Sequence, residues 1–388
     1  MTNTPDTKTI QASLPRRLIT YTRAELFRLL RRKGTRKLLI GFLIASIISC
    51  VFMVSLGGLM PWSTSPEAEV SRSQIQSMIN NLQEAVEIYD ARLRDAEGDI
   101  TRVLEVRAIS VSRAHAVRNI EVLEAVLYRN IDTADVTIIL TETPLLTAIL
   151  GGGFGMGVAE NVSGIRTIGR NSWFYSAFAA MALSAMGIIM MIYASIIGGT
   201  AAGVDYEDKS IRMYLLRPIT RGEGMFAKYF AAFAQMVFYA VLGFVIAFVV
   251  TLLSQGWDMT TLVMHNGLGV VALHPIIMLS GMFLSFLLMS IVYMTFAFMI
   301  GSLTKSRIAA IILCAVLTQV VDLFGIVALI LPALSWAMFF THADINRYWA
   351  NTMPLPSMNF LASLIINLLY IAGFLLVSWV IVRRRRFD

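Results

Sequence analysis

The chain has 388 residues, 57% of them hydrophobic and 15% charged, and carries a net charge of +7. Its Leu, Ile, Met and Phe residues stand in long runs instead of alternating with polar ones, which excludes a soluble globular class and marks an integral membrane protein. Both cysteines, Cys50 and Cys314, fall inside apolar runs, so neither a disulfide framework nor a cysteine-based metal site is expected.

The amino terminus, "MTNTPDTKTIQASLPRR", is polar and lacks an apolar core followed by a small-residue cleavage site, so no cleaved signal peptide is expected. Within residues 1–37, "LPRRLITYTRAELFRLLRRKGTRK" sets Leu18, Ile19, Leu26, Phe27, Leu29 and Leu30 among nine basic residues. That pattern suits an amphipathic helix lying in the cytoplasmic headgroup layer, and it also serves a plain basic anchor. A helix needs about 20 apolar residues to cross the ~30 Å hydrocarbon core. Six runs qualify: 38–60, 174–197, 230–253, 276–300, 308–331 and 360–382. An even number puts both termini on one side. With the amino terminus inside, 21 of the 32 basic residues fall on the cytoplasmic side, including all six lysines and the arginines of the 383–388 tail. The sequence therefore predicts a multi-pass protein of the cell membrane with both termini cytoplasmic.

Residues 61–173, between the first two spans, are predicted to form an extracytoplasmic domain. Apolar residues step from Ile75 through Ile79, Leu82, Val86, Tyr89 and Leu93 at intervals of three and four, the seam of a helix, and Val117, Ile120, Leu123 and Leu127 resume a similar spacing. This predicts two antiparallel helices, or a helix pair completed by another subunit, followed by a strand-like stretch "DVTIILTE". The expected fold is an all-α integral membrane protein with six transmembrane helices and a large, mainly helical exterior domain. So small an apolar set buries a modest core, and the Ile79–Leu93 seam is expected to meet a second copy or the membrane face.

Several apparent motifs carry little. "GGGFGMG" at 151–157 lacks the following Lys-Ser/Thr of a phosphate loop. His115, His265, His274 and His342 have no tight ligand spacing, and no metal site is expected. No nucleotide-hydrolysis motif occurs, so the chain is read as no enzyme, and the energy for any pumping comes from another chain. Asp322, deep in the fifth run with Gln319 one turn before it, is expected to face protein or a wet cavity, because a carboxylate at mid-membrane costs about 2.5–3.5 kcal/mol on insertion scales.

A charged island, 198–229, separates the second and third runs. Its acids Asp205, Glu207 and Asp208 precede "SIRMYLL", read as a short helix with acids at its positive end, stopped by Pro218. Leu215, Leu216 and Ile219 stand among charges with no membrane to cover them, the mark of a docking surface. These residues resemble the permease subunits of ABC-2-type transporters. In that family the loop after the second span runs from an acid-rich stretch through a small hydroxyl residue and leucines to Pro-x-Ser/Thr-Arg and a lysine, as do Glu207, Ser210, Leu215, Leu216, Pro218, Thr220, Arg221 and Lys228 here. The family often has Gly-Thr where this chain has Lys209-Ser210. The resemblance implies a pair of permease subunits, homodimeric or heterodimeric, each gripped by a cytosolic ATPase through the loop residues, Arg217 included. It also implies that ATP and Mg are held by the ATPase while this chain binds no cofactor and no nucleic acid, and that transport runs outward. The alternative is a mechanical or sensory membrane subunit acting through the exterior domain without moving cargo, and an ion-driven transporter is a third possibility.

Overall fold

The computed structural model describes residues 14–31, 33–59, 71–96, 103–128, 136–141, 165–168, 178, 186–207, 220–255, 261–265, 269–319, 342–343, 345–349 and 359–384. In chain order these form helices α1 (Leu14–Arg31), α2 (Lys33–Leu59), α3 (Arg72–Asp95) and α4 (Val103–Tyr128), then strands β1 (Val136–Thr141) and β2 (Ile165–Ile168). There follow α5 (Met186–Glu207), α6 (Arg221–Gln255), β3 (Thr261–His265), β4 (Val270–Leu273), α7 (Pro275–Thr304), α8 (Arg307–Gln319), a 3-10 turn (Ile345–Tyr348) and α9 (Phe360–Arg384).

Among the described residues, α2, α5, α6, α7 and α9 are long and apolar enough to cross a membrane. Their outer faces leave Ile40, Ile44, Ile48, Phe52, Leu361, Ile365, Leu368 and Leu369 exposed. A continuous apolar belt of this kind is excluded in water and natural in lipid. The expected span 308–331 begins as α8, and its residues beyond Gln319, Asp322 among them, lie outside the described ones. Serines inside the helices return their hydroxyls to carbonyls one turn back: Ser195 to Met191 at 2.7 Å, Ser290 to Phe286 at 2.7 Å and Ser302 to Phe298 at 2.9 Å. Their donors are thus satisfied without water.

Helix α5 is the centre of the bundle, packing against α2, α6, α7 and α8. Small residues allow this. A Cβ on Gly198 would overlap the Met294 backbone carbonyl of α7, and one on Gly199 would lie 3.0 Å from the Ala310 methyl of α8. Two helix ends differ from the sequence expectation. α5 runs on to Glu207 where the second span was expected to stop at 197, and α6 starts at Arg221 where the third was expected to start at 230. Much of the charged island is therefore helix.

At the opposite end, α3 and α4 form the expected antiparallel pair. Ser71 and Gln74 close a reciprocal capping box at the start of α3, with bonds of 3.2 and 2.8 Å. Ile75 and Ile79 are buried against Val122, Leu123 and Val126, with Leu82 packed at the edge. The first part of the seam is thus met within the chain by α4, while Val86, Tyr89 and Leu93 are half-buried. Farther along the pair, Arg113 of α4 is bonded to Asp90 of α3. The expected strand-like stretch is β1, but it is part of a four-stranded sheet of order β2-β1-β3-β4. β1 is antiparallel to β2 and parallel to β3, with Val136 opposite Thr261. The domain between the first two spans is therefore mixed in character, and the link between α6 and α7 completes it: Ile138 and Val263 join the same buried cluster.

A polar group sits where α4 meets this sheet. His115 is buried on α4, and its Nδ1 has no hydrogen-bond partner among the described residues. Burial, and then the nearby Arg118 guanidinium, push its imidazole down to about 4. His265, closing β3, lies 3.2 Å from the Glu121 carboxylate. Burial and Arg118 lower it too, against the opposing pull of Glu121. A histidine depressed in the fold takes its proton more readily once unfolded, so the stability it confers is full above 6.5 and is lost as pH falls from there towards 4. The loss at His115 amounts to about 3 kcal/mol at most, because each tenfold difference in proton affinity between the folded and unfolded chain corresponds to about 1.4 kcal/mol. Thermal unfolding of the full chain should show a drop between about pH 7.5 and about pH 5 that is smaller in His115→Gln. An equal drop in both proteins would exclude His115 as its source.

Candidate coupling site at the loop end of the bundle

α5 ends in Val204, Asp205, Tyr206 and Glu207, with acids at the negative end of a helix dipole, where they are ordinarily unfavourable. Partners from distant parts of the chain remove the conflict. Asp205, its side chain only 2% exposed, receives Arg28 Nη2 from α1 at 2.9 Å on one oxygen and Lys228 Nζ from α6 at 2.6 Å on the other. Arg28 also lies 3.4 Å from Glu25, one turn back on α1. Burial works to lower the Arg28 guanidinium, but the Asp205 and Glu25 carboxylates hold it above its ordinary value. A buried carboxylate is tolerable only when paired and hydrogen-bonded, and here each oxygen has its own cation.

Glu207 is matched differently. It accepts the Ser306 hydroxyl at 3.0 Å and the Arg307 backbone N–H at 2.8 Å, and its second oxygen lies 2.8 Å from Arg307 Nε. It thereby caps the positive end of α8 from another helix. The approach requires Gly203, since a Cβ there would lie 2.5 Å from the Arg307 nitrogen. It also requires the tight corner between α7 and α8, where Lys305 takes the left-handed conformation at φ 58° and donates its N–H to Gly301 at 3.0 Å. The assignment of Glu207 to the start of a short loop helix is thus corrected. It is the last residue of α5 and serves the start of α8, because tertiary partners outweigh the local dipole preference.

The other root of the loop is equally fixed. Thr220 donates its N–H to the Glu223 carboxylate at 2.9 Å, and Glu223 returns its N–H to the Thr220 hydroxyl at 3.3 Å, a capping box that starts α6. Arg221 is the exposed first residue of α6. Lys228, taken as part of the loop, lies two turns into α6 and faces Asp205. Ser210, Leu215, Leu216, Arg217, Pro218 and Ile219 lie outside the described residues, as does Asp322, and Gln319 is the last residue of α8. Arg28, Ser306 and Arg307 escaped sequence reasoning. The available signal was Asp205 itself, an acid at the wrong end of an apolar helix.

A family model described as ABC-2 family transporter protein matches residues 29–382. The chain belongs to this family. No curated protein matches it. As an ABC-2 family member it is a multi-pass membrane protein, the membrane subunit of an ABC transporter, a component that is usually not itself catalytic. ABC-2 permeases normally work with a cytosolic ATPase and a partner permease. In this permease the matched region takes in both loop roots and ends within α9, whose last turn carries Arg383 and Arg384 at the negative end of its dipole.

Proposed function

We propose that this ABC-2 permease is an exporter subunit driven by a separate cytosolic ATPase that grips residues 208–219 between α5 and α6. The carrying observation is the clasp at the base of that loop. Asp205 and Lys228, on opposite roots, are joined at 2.6 Å. A force applied to the loop therefore moves the ends of α5 and α6 together, and the Glu207 contact passes it to α8. ATP binding then acts by differential contact, the closed ATPase pair holding the loops in a different position from the open one. In this reading Leu215, Leu216 and Ile219 fill an apolar cleft, Arg217 and Arg221 face an acidic rim, and two permease chains pair in the cell membrane with their termini cytoplasmic. ATP and Mg stay on the partner.

The parallel pairing of β1 with β3 favours a second reading. It ties the link between α6 and α7 to the exterior domain, so movement of those helices reaches that domain directly, as a mechanical or sensory subunit would need.

The test is to replace residues 210–219 by a flexible Gly-Ser segment of equal length in the full chain, expressed with its ATPase. Loss of the ATPase on purification, with the chain still folded, is expected. Retention of the ATPase at the parent's ratio would show that the grip lies elsewhere.

A further inference from the structure

We infer that Asp205 is a joint with two unequal arms, Lys228 holding the loop roots together and Arg28 carrying the movement of α5 to α1 and from there to the first span. The inference rests on the reading of the 208–219 loop as the ATPase grip. It assigns positioning roles to residues outside that grip.

The two arms differ in ways that decide their roles. Lys228 is 13% exposed and bonds one carboxylate oxygen, whereas Arg28 is 32% exposed and bonds the other. The Asp205–Lys228 pair is electrically neutral, largely dry and bound to both loop roots, so it moves as one body. Arg28 belongs to a helix distant in sequence and is shared with Glu25, whose own side chain is 7% exposed. Arg28 offsets Glu25 as well as Asp205, and without it the loop roots keep a neutral pair of their own. What it adds is attachment: it fastens α1 to the end of α5. α1 is in turn separated from α2 by a single residue, so rotation of α1 is passed to the first span. The Thr35 hydroxyl of α2 donates to the Leu29 carbonyl of α1 at 2.5 Å, which ties the two helices across that junction.

This asymmetry predicts two different kinds of defect. Removing the Asp205 charge leaves Arg28 and Lys228 with the single carboxylate of Glu25 beside them in a poorly solvated site, and both arms fail together. Removing the Arg28 charge leaves the neutral clasp closed and α1 still packed along α6, so loop and fold persist while the tie between α1 and the end of α5 is lost. Movement of α5 then no longer reaches α1 through a direct bond.

The experiment uses the full chain with its co-purified ATPase in lipid vesicles. Spin labels are placed at Ile19→Cys on α1 and Leu303→Cys at the end of α7, both exposed, while the native Cys50 and Cys314 are buried and stay unlabelled. In the parent, ATP binding should shift the distance between the labels. In Arg28→Gln that shift should fall to less than about half and ATP turnover fall about tenfold, with the ATPase still bound and the unfolding midpoint lowered less than in Asp205→Asn. Arg28→Lys, which restores the charge without the planar fork, should recover part of both. Asp205→Asn should lose the shift and also lower the unfolding midpoint, and Arg28→Gln added to it should make turnover no worse. An Arg28→Gln complex that keeps the parent's distance change and turnover overturns the joint. A parent chain that binds no ATPase overturns the coupling reading itself, and the joint with it.

Discussion

Leu216→Asp should release the ATPase from the complex, while Arg217→Ala should leave it bound. Burying a leucine side chain contributes about 1.5–3 kcal/mol, and an exposed charge pair at a rim contributes at most about 1. In the proposed grip the leucines therefore set the affinity. Their loss alone weakens binding by about tenfold to a hundredfold, and the new carboxylate, unpaired in an apolar cleft, weakens it further. Co-purification of the ATPase with each variant, with ATP hydrolysis measured in lipid, checks the order. If Leu216→Asp keeps its partner and its hydrolysis, the loop is not the transmission element.

Glu207→Lys should lower the unfolding midpoint and uncouple hydrolysis, and it should do both more severely than Glu207→Gln. The carboxylate meets three donors at the start of α8: the Ser306 hydroxyl, the Arg307 N–H and the Arg307 guanidinium. A glutamine retains an acceptor for the first two. A lysine offers only donors and sets a second cation beside Arg307 at the positive end of the helix. With Gly203 leaving no space between α5 and the α7–α8 corner, the misfit separates the helices instead of being absorbed. Thermal unfolding and hydrolysis of the two variants side by side give the comparison, and equal effects would mean that the charge of Glu207 is immaterial.

The apolar helices were legible because about 20 successive apolar residues have few alternatives to crossing a bilayer. Their ends at the loop were not. A composition-based boundary falls where charges begin, yet α5 continues through Asp205 and Glu207 because Arg28, Lys228 and Arg307 neutralise them, and those partners come from other helices. The helical pair of the domain between the first two spans was visible in the Ile75–Leu82 spacing. The sheet was visible only in β1, where "VTIILT" is rich in β-branched residues. "TLVMH" and "VVAL" are too short to declare themselves, and β3 exists because Val136 and Thr137 lie beside it, more than a hundred residues away in sequence. The site followed the same rule. The loop motif could be read along the chain, whereas the ion pairs that fix its roots are long-range contacts to which no local spacing points.

The most direct test of the central claim is the reactivity of a single introduced thiol, Leu216→Cys, in the full chain in sealed vesicles. Cys50 and Cys314 are buried inside the bundle, where a reagent does not reach them, so the new thiol is the reactive one. A membrane-impermeant maleimide should modify it from the cytoplasmic side alone, rapidly without the ATPase and slowly with it. Modification from the opposite side, or at the same rate with and without the ATPase, would contradict the account.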